Sequence, residues 1–237
     1  VSIINRLEID VMQKSEIYEA AELAYKHSIP SLIVHPTLAS DAHIIRGSIG
    51  GRFNIITPID WPKGENFGPD QKFRGLNIDS LEADGFEIML SSKNGEIETR
   101  KEAQTITNFI KTHISSIVEI RFVINTQDNP DVESIVKGLT KMPLPTMLRC
   151  GINLKTQVSK ANPKIHNETT KKILDIIGIP IKVCGNINDI KTIAACEDTN
   201  KFAVSLMQAK TIINEFNKQP EGIYRILNSG DNSEKDM

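Results

Sequence analysis

Along the chain, short β-branched runs alternate with stretches whose apolar residues recur at three- and four-residue spacing. The runs are Arg6–Met12, Ser31–His35, Asn54–Ile59, Phe86–Leu90, Val118–Ile124, Pro145–Arg149, Pro180–Val183 and Phe202–Leu206. Four to seven apolar residues bounded by turn residues read as buried strands, and the longer periodic stretches between them as amphipathic helices. Ser15 is placed to cap a helix that runs to about His27, Pro69-Asp70 opens another, and Asn167 caps Thr169–Ile177, which Gly178 ends. Eight strands alternating with helices predict parallel βαβ units, and eight such units close into a (β/α)8 TIM barrel. An open doubly wound sheet is the rival arrangement.

Composition changes this picture little. The 237 residues suit one α/β barrel, expected over 1–217, followed by a C-terminal extension over 218–237 whose last ten residues are polar and read as a solvated tail. A net charge of −2 gives no electrostatic case for nucleic acid or an anionic membrane surface. No apolar run is long enough to span a bilayer. Cys150, Cys184 and Cys196 are an odd set without metal-ligand spacing, so reduced thiols, a cytoplasmic setting and no metal or other cofactor are expected. The chain opens on Val1, and a short preceding piece is expected.

In a barrel of this kind the chemistry gathers where strands end and loops begin. The residues expected there are Asp10, His35-Pro36, Asp60-Trp61-Pro62-Lys63-Gly64, Glu87, Asn125, Arg149, Lys182 and Ser205. Each has a plain reading as well. His35 suits a hydrogen-bonded strand end, Trp61 a cap on the core, and Asp10 and Glu87 a structural ion network with Arg149 or Lys182. Lys182, between Ile181 and Val183, is the least bland. A lysine on the inner face of a barrel must either lose its proton or find carboxylate partners.

Several of these segments resemble the deoxyribose-phosphate aldolases. Arg6-Leu7-Glu8-Ile9-Asp10 is similar to that family's first strand, which ends in Ile-Asp, and Ser31–Pro36 to its second. Trp61-Pro62-Lys63-Gly64 resembles its Phe-Pro-Leu-Gly loop, and Ala83–Met89 its Gly-Ala-Asp-Glu-Ile-Asp-Met-Val segment, with Pro62 and Glu87 standing 25 positions apart. Lys182-Val183-Cys184-Gly185-Asn186-Ile187 is similar to its Lys-Ala-Ser-Gly-Gly-Ile strand and turn. The resemblance runs from about Ile4 to Ile213. It implies a carbonyl substrate handled as an imine on a strand-six lysine within a Lys-Thr-Ser-Thr-Gly motif, with Asp10, Glu87 and Lys182 in proton transfer and Gly185, Asn186 and Ser205 near an anion or phosphate.

The resemblance also brings departures. With the sixth strand set at Pro145–Arg149, the nucleophile's place falls to Arg149, and a guanidinium cannot supply the neutral amine that an imine needs. The turn Val204-Ser205-Leu206-Met207-Gln208 lacks both glycines of the family's Gly-Thr-Ser-Ser-Gly, and Asn186 replaces another. Three readings follow. The first is a pseudoenzyme kept for structure, assembly or binding, in which homo-oligomers are expected. The second is an altered aldolase or lyase acting on a small aldehyde or ketone through Lys182, with Lys155 as a weaker substitute on the loop after the sixth strand. The third is a binding module for an anionic small molecule, with Arg149 and Lys182 as the cationic pair.

Overall fold

In the computed structural model, residues 3–60, 64–91, 95–113, 119–125, 139, 149–158, 181–185 and 201–218 are described. Eight parallel strands close into a barrel in sequence order: β1 Leu7–Val11, β2 Ser31–Val34, β3 Asn54–Ile59, β4 Gly85–Met89, β5 Glu119–Asn125, β6 Arg149–Val158, β7 Ile181–Gly185 and β8 Lys201–Ser205. The last strand pairs back onto the first, with Asp10 opposite Ser205. The described helices are α1 Ile17–His27, α2 Ala39–Ile49, the single turn α3 Pro69–Lys72, α4 Glu96–His113 and α5 Leu206–Lys218. The closed sheet excludes the open doubly wound alternative.

Alternation along the strands sorts side chains into two cores. Leu7, Ile9, Val11, Leu32, Ile55, Phe86, Ile88, Ile120, Phe122, Phe202 and Val204 face the helices and share one buried cluster with Ile17, Ala20, Ala24, Ile106, Ile110, Ala209 and Ile212. The helix residues recur at three- and four-residue steps, the stripe that a sheet-covering helix must bury. Phe86 meets Phe73 edge to face with ring centroids 5.7 Å apart, and Phe73 stacks on Phe109 of α4. Ile33, Ile56, Met89, Val123 and Ala203 are also buried but lie outside that cluster. They occupy the alternate strand positions, which fill the barrel interior.

Asp84, which belongs to the resemblance, and Gly85, which does not, each have a physical reason at the start of β4. Asp84 accepts from the Ile55 amide at 2.7 Å and from Arg46, which also donates to the Phe53 carbonyl, so one carboxylate ties α2, β3 and β4 together. At Gly85 a Cβ would stand 2.8 Å from the Glu119 carbonyl oxygen and 2.9 Å from Ile56 Cδ1, so the strands can close only around a glycine.

Three expectations need correction. Ser15 does not cap α1; it lies within a 3-10 turn, Lys14–Glu16, and Glu16 stands at the cap without a side-chain bond. The helix that Pro69 opens is only four residues long. The sixth strand is not Pro145–Arg149: Arg149 is its first residue, and it runs to Val158. Cys150, Ile152, Leu154, Thr156 and Val158 alternate there with Gly151, Asn153, Lys155 and Gln157. That half-polar alternation differs from the near-continuous apolar run usual in a parallel strand. Residues 145–148, the helix expected over 169–177 and the extension from 219 lie outside the described residues. Among the described residues, no helix is long and apolar enough to cross a membrane.

Candidate active site

The inner face of the barrel carries charge where many barrels pack branched aliphatics. Glu8 of β1, Glu87 of β4 and Arg121 of β5 are all buried. Arg121 donates through Nη1 to Glu8 Oε1 at 2.6 Å and through Nε to Glu119 Oε1 at 2.6 Å. Burial opposes the guanidinium's charge, but Glu8, Glu119 and Glu87 outweigh it and raise the Arg121 pKa above its ordinary value. Glu87 stands opposite Arg121 in the sheet register. A buried ion network therefore lies on the inner face, but its described cation is Arg121 and its bonded acids are Glu8 and Glu119, rather than Asp10 with Arg149 or Lys182.

Register carries the inner face onward from Arg121. Arg121 pairs with Gly151, Val123 with Asn153 and Asn125 with Lys155, so Gly151, Asn153 and Lys155 fall on the face that Arg121 occupies. Lys155 then pairs with Lys182 of β7, and Lys182 with Lys201 of β8. Paired Cα atoms on adjacent strands are about 5 Å apart. Three lysines, Lys155, Lys182 and Lys201, thus hold consecutive register places on that face, and of them the sequence singled out Lys182. Lys155 lies inside β6 rather than on the loop after it. The signal that could have found it is Lys155-Thr156, which repeats the opening Lys-Thr of the family motif.

Arg149 is placed elsewhere. It pairs with Glu119, the first residue of β5, and lies six residues before Lys155. Six residues of strand span about 20 Å. Arg149 therefore belongs to the N-terminal end of the barrel wall, away from Asp10 and Lys155. Asp10 is half-buried in β1, two residues beyond Glu8, with Ser205 as its register partner. Gly185 closes β7. Asn186 lies outside the described residues.

Around the mouth, two further arrangements fix loops. His35 caps the 3-10 turn Pro36–Leu38, its Nδ1 lying 2.9 Å from Thr37 Oγ1 and accepting from the Thr37 amide, in keeping with the plain reading of a strand-end histidine. Sequence reasoning missed the second. Lys72, fully buried as a side chain, puts Nζ 2.6 Å from Asp60 Oδ2, 2.6 Å from the Met89 carbonyl oxygen and 3.1 Å from Glu102 Oε1. Asp60 also accepts from the Asn66 backbone and side-chain N–H groups. The loop after β3 is thereby pinned to the end of β4 and to α4. Gly64 closes that loop at φ +62°, where a Cβ would press on the Leu90 carbonyl oxygen. Trp61, Pro62 and Lys63 lie outside the described residues.

No protein-family model matches the chain, and no curated protein matches it in sequence. Solved structures do match it in shape. The deoxyribose-phosphate aldolase of Aeropyrum pernix, described as a unique tetramer, superposes with a TM-score of 0.69 at 12% identity over 90% of both chains. A putative deoxyribose-phosphate aldolase from Coccidioides immitis gives 0.66 at 13% identity over 91% of this chain and 85% of its own. The fold is that of the deoxyribose-phosphate aldolases. Triosephosphate isomerase from Bartonella henselae, another barrel, reaches only 0.53 at 13% identity over 88% of this chain and 99% of its own.

Proposed function

We propose that the chain is an imine-forming aldolase or lyase acting on a small aldehyde or ketone, with Lys155 as nucleophile. The observation that carries this reading is the register pairing of Lys155 with Lys182 on the inner face. Like charges on neighbouring strands disfavour the protonated form of a lysine, and the neutral amine is the form that adds to a carbonyl. Lys155 Nζ adds to the carbonyl carbon, and water leaves to give an iminium. Loss of a proton from the adjacent carbon forms an enamine that can attack a second carbonyl, and hydrolysis returns the lysine. Asp10, half-buried and on the inner face, suits the proton transfers. Glu87, buried against the Arg121 network, serves to hold the floor of the site.

The non-catalytic and anion-binding readings both rest on Arg149 standing beside Lys182; the register that sets Arg149 six residues before Lys155 favours the imine-forming reading over them. Self-association belongs to the proposal too, supported only by the tetramer described for the Aeropyrum pernix aldolase.

The test is borohydride reduction in the presence of acetaldehyde, with peptide mapping of the mass increase. Label on Lys155, lost in Lys155→Ala, is the expected result. Label on Lys182 alone would transfer the role to that residue, and no label with any of a panel of aldehydes and ketones would remove the catalytic reading.

A further inference from the structure

Barrel enzymes that act on phosphorylated substrates commonly seat the phosphate on backbone N–H groups after the seventh and eighth strands and at a helix N-terminus there. In this chain the turn from β8 into α5 is engaged with itself. The Ser205 amide donates to Gln208 Oε1 at 2.8 Å, and the Gln208 amide donates to Ser205 Oγ at 3.3 Å. This is a reciprocal capping box, in which each side chain satisfies the other residue's N–H. A phosphate arriving at those two amides would have to break both bonds.

The turn's own sequence does not compensate. Val204–Gln208 contains no glycine to let the backbone approach an anion and no lysine or arginine to balance its charge. The first basic residue of α5 is Lys210, and it pairs with Glu19 of α1. Apolar side chains are exposed instead. Met207 is 71% exposed and Met12 51%, and each lies two residues beyond the register pair Ser205 and Asp10.

We infer that the turn from β8 into α5 does not seat a substrate phosphate: the Ser205–Gln208 capping box engages its Ser205 and Gln208 amides, which favours a small uncharged aldehyde or ketone at the site. This rests on the imine-forming reading for its chemistry. The statement about the turn does not.

Two measurements separate them. Borohydride trapping is run on the whole chain with glycolaldehyde and with glycolaldehyde phosphate. The amides of Ser205 and Gln208 are followed by NMR while inorganic phosphate is added to the wild type and to Gln208→Gly. Expected are trapping of glycolaldehyde with no advantage for its phosphate, unmoved wild-type amides, and a Ser205 amide that shifts with phosphate in Gln208→Gly. A preference for the phosphorylated aldehyde of about tenfold or more, equivalent to about 1.4 kcal/mol, would overturn the inference while leaving the aldolase reading intact. So would a phosphate shift as large in the wild type as in the variant. No shift in either protein would remove the Ser205–Gln208 pair as the cause. Trapping of neither aldehyde counts against the imine chemistry, and the amide titration then decides the turn by itself.

Discussion

Arg121 of β5 donates a hydrogen bond to Glu8 of β1 at 2.6 Å, joining strands that stand opposite each other in the closed barrel. The pair crosses the interior two residues below Asp10 on β1, so it forms a floor beneath the inner-face positions of the proposed site.

That floor should be costly to break from one side. Arg121→Met leaves Glu8, Glu87 and Glu119 without their guanidinium, and loss of one partner from a buried pair destabilises by about 3–5 kcal/mol. Adding Glu8→Gln to Arg121→Met should recover part of that loss. Urea unfolding of the two single variants and the double variant measures the coupling. A loss under about 1 kcal/mol in Arg121→Met would mean that water reaches the network.

Lys182 should act on the rate of imine formation rather than on its site. In Lys182→Met the trapping rate with acetaldehyde at pH 7 should fall, with the label still on Lys155. An unchanged rate would separate the two lysines functionally.

Arg149 should be dispensable for the chemistry. Lying about 20 Å along the strand from Lys155, it can be changed to Ala or Lys without moving the position of the borohydride label. Arg149→Lys should gain no mass at position 149, and label found there would reverse the register assigned to β6.

Lys72 should hold the mouth. Lys72→Met leaves Asp60 and Glu102 as buried carboxylates facing one another's neighbourhood, and about 3–5 kcal/mol of destabilisation is expected in thermal or urea unfolding. Gly64→Ala should cost about 1–3 kcal/mol from the left-handed backbone alone, and more if the Leu90 carbonyl cannot yield.

Most of the barrel was legible in the sequence because seven of its strands are runs of β-branched and apolar residues ending within two residues of their observed limits. The sixth was not. Its alternation of Ile, Leu and Val with Asn, Lys and Gln is what a strand with a polar inner face must look like, and a search for continuous apolar runs passes over it. That one shift decides whether Arg149 or Lys155 stands beside Lys182 in the register, and with it which reading of function is favoured. The Glu8–Arg121 floor was invisible for a different reason. Its partners are 113 residues apart, and only closure of the sheet brings them together. The Asp60–Lys72–Glu102 cluster likewise depends on a one-turn helix that periodicity could not size.

Pairing of β1 with β8 makes the first strand wait for the last. During synthesis from the N-terminus, Leu7–Val11 keeps one edge unfilled until residues 201–205 have emerged, and β7 waits for the same segment. A product cut short before Lys201 would keep both edges open, with unpaired N–H and C=O groups of the kind that recruit other chains. The strand that contributes Ser205 to the mouth thus also decides whether a nascent chain stays a monomer long enough to fold.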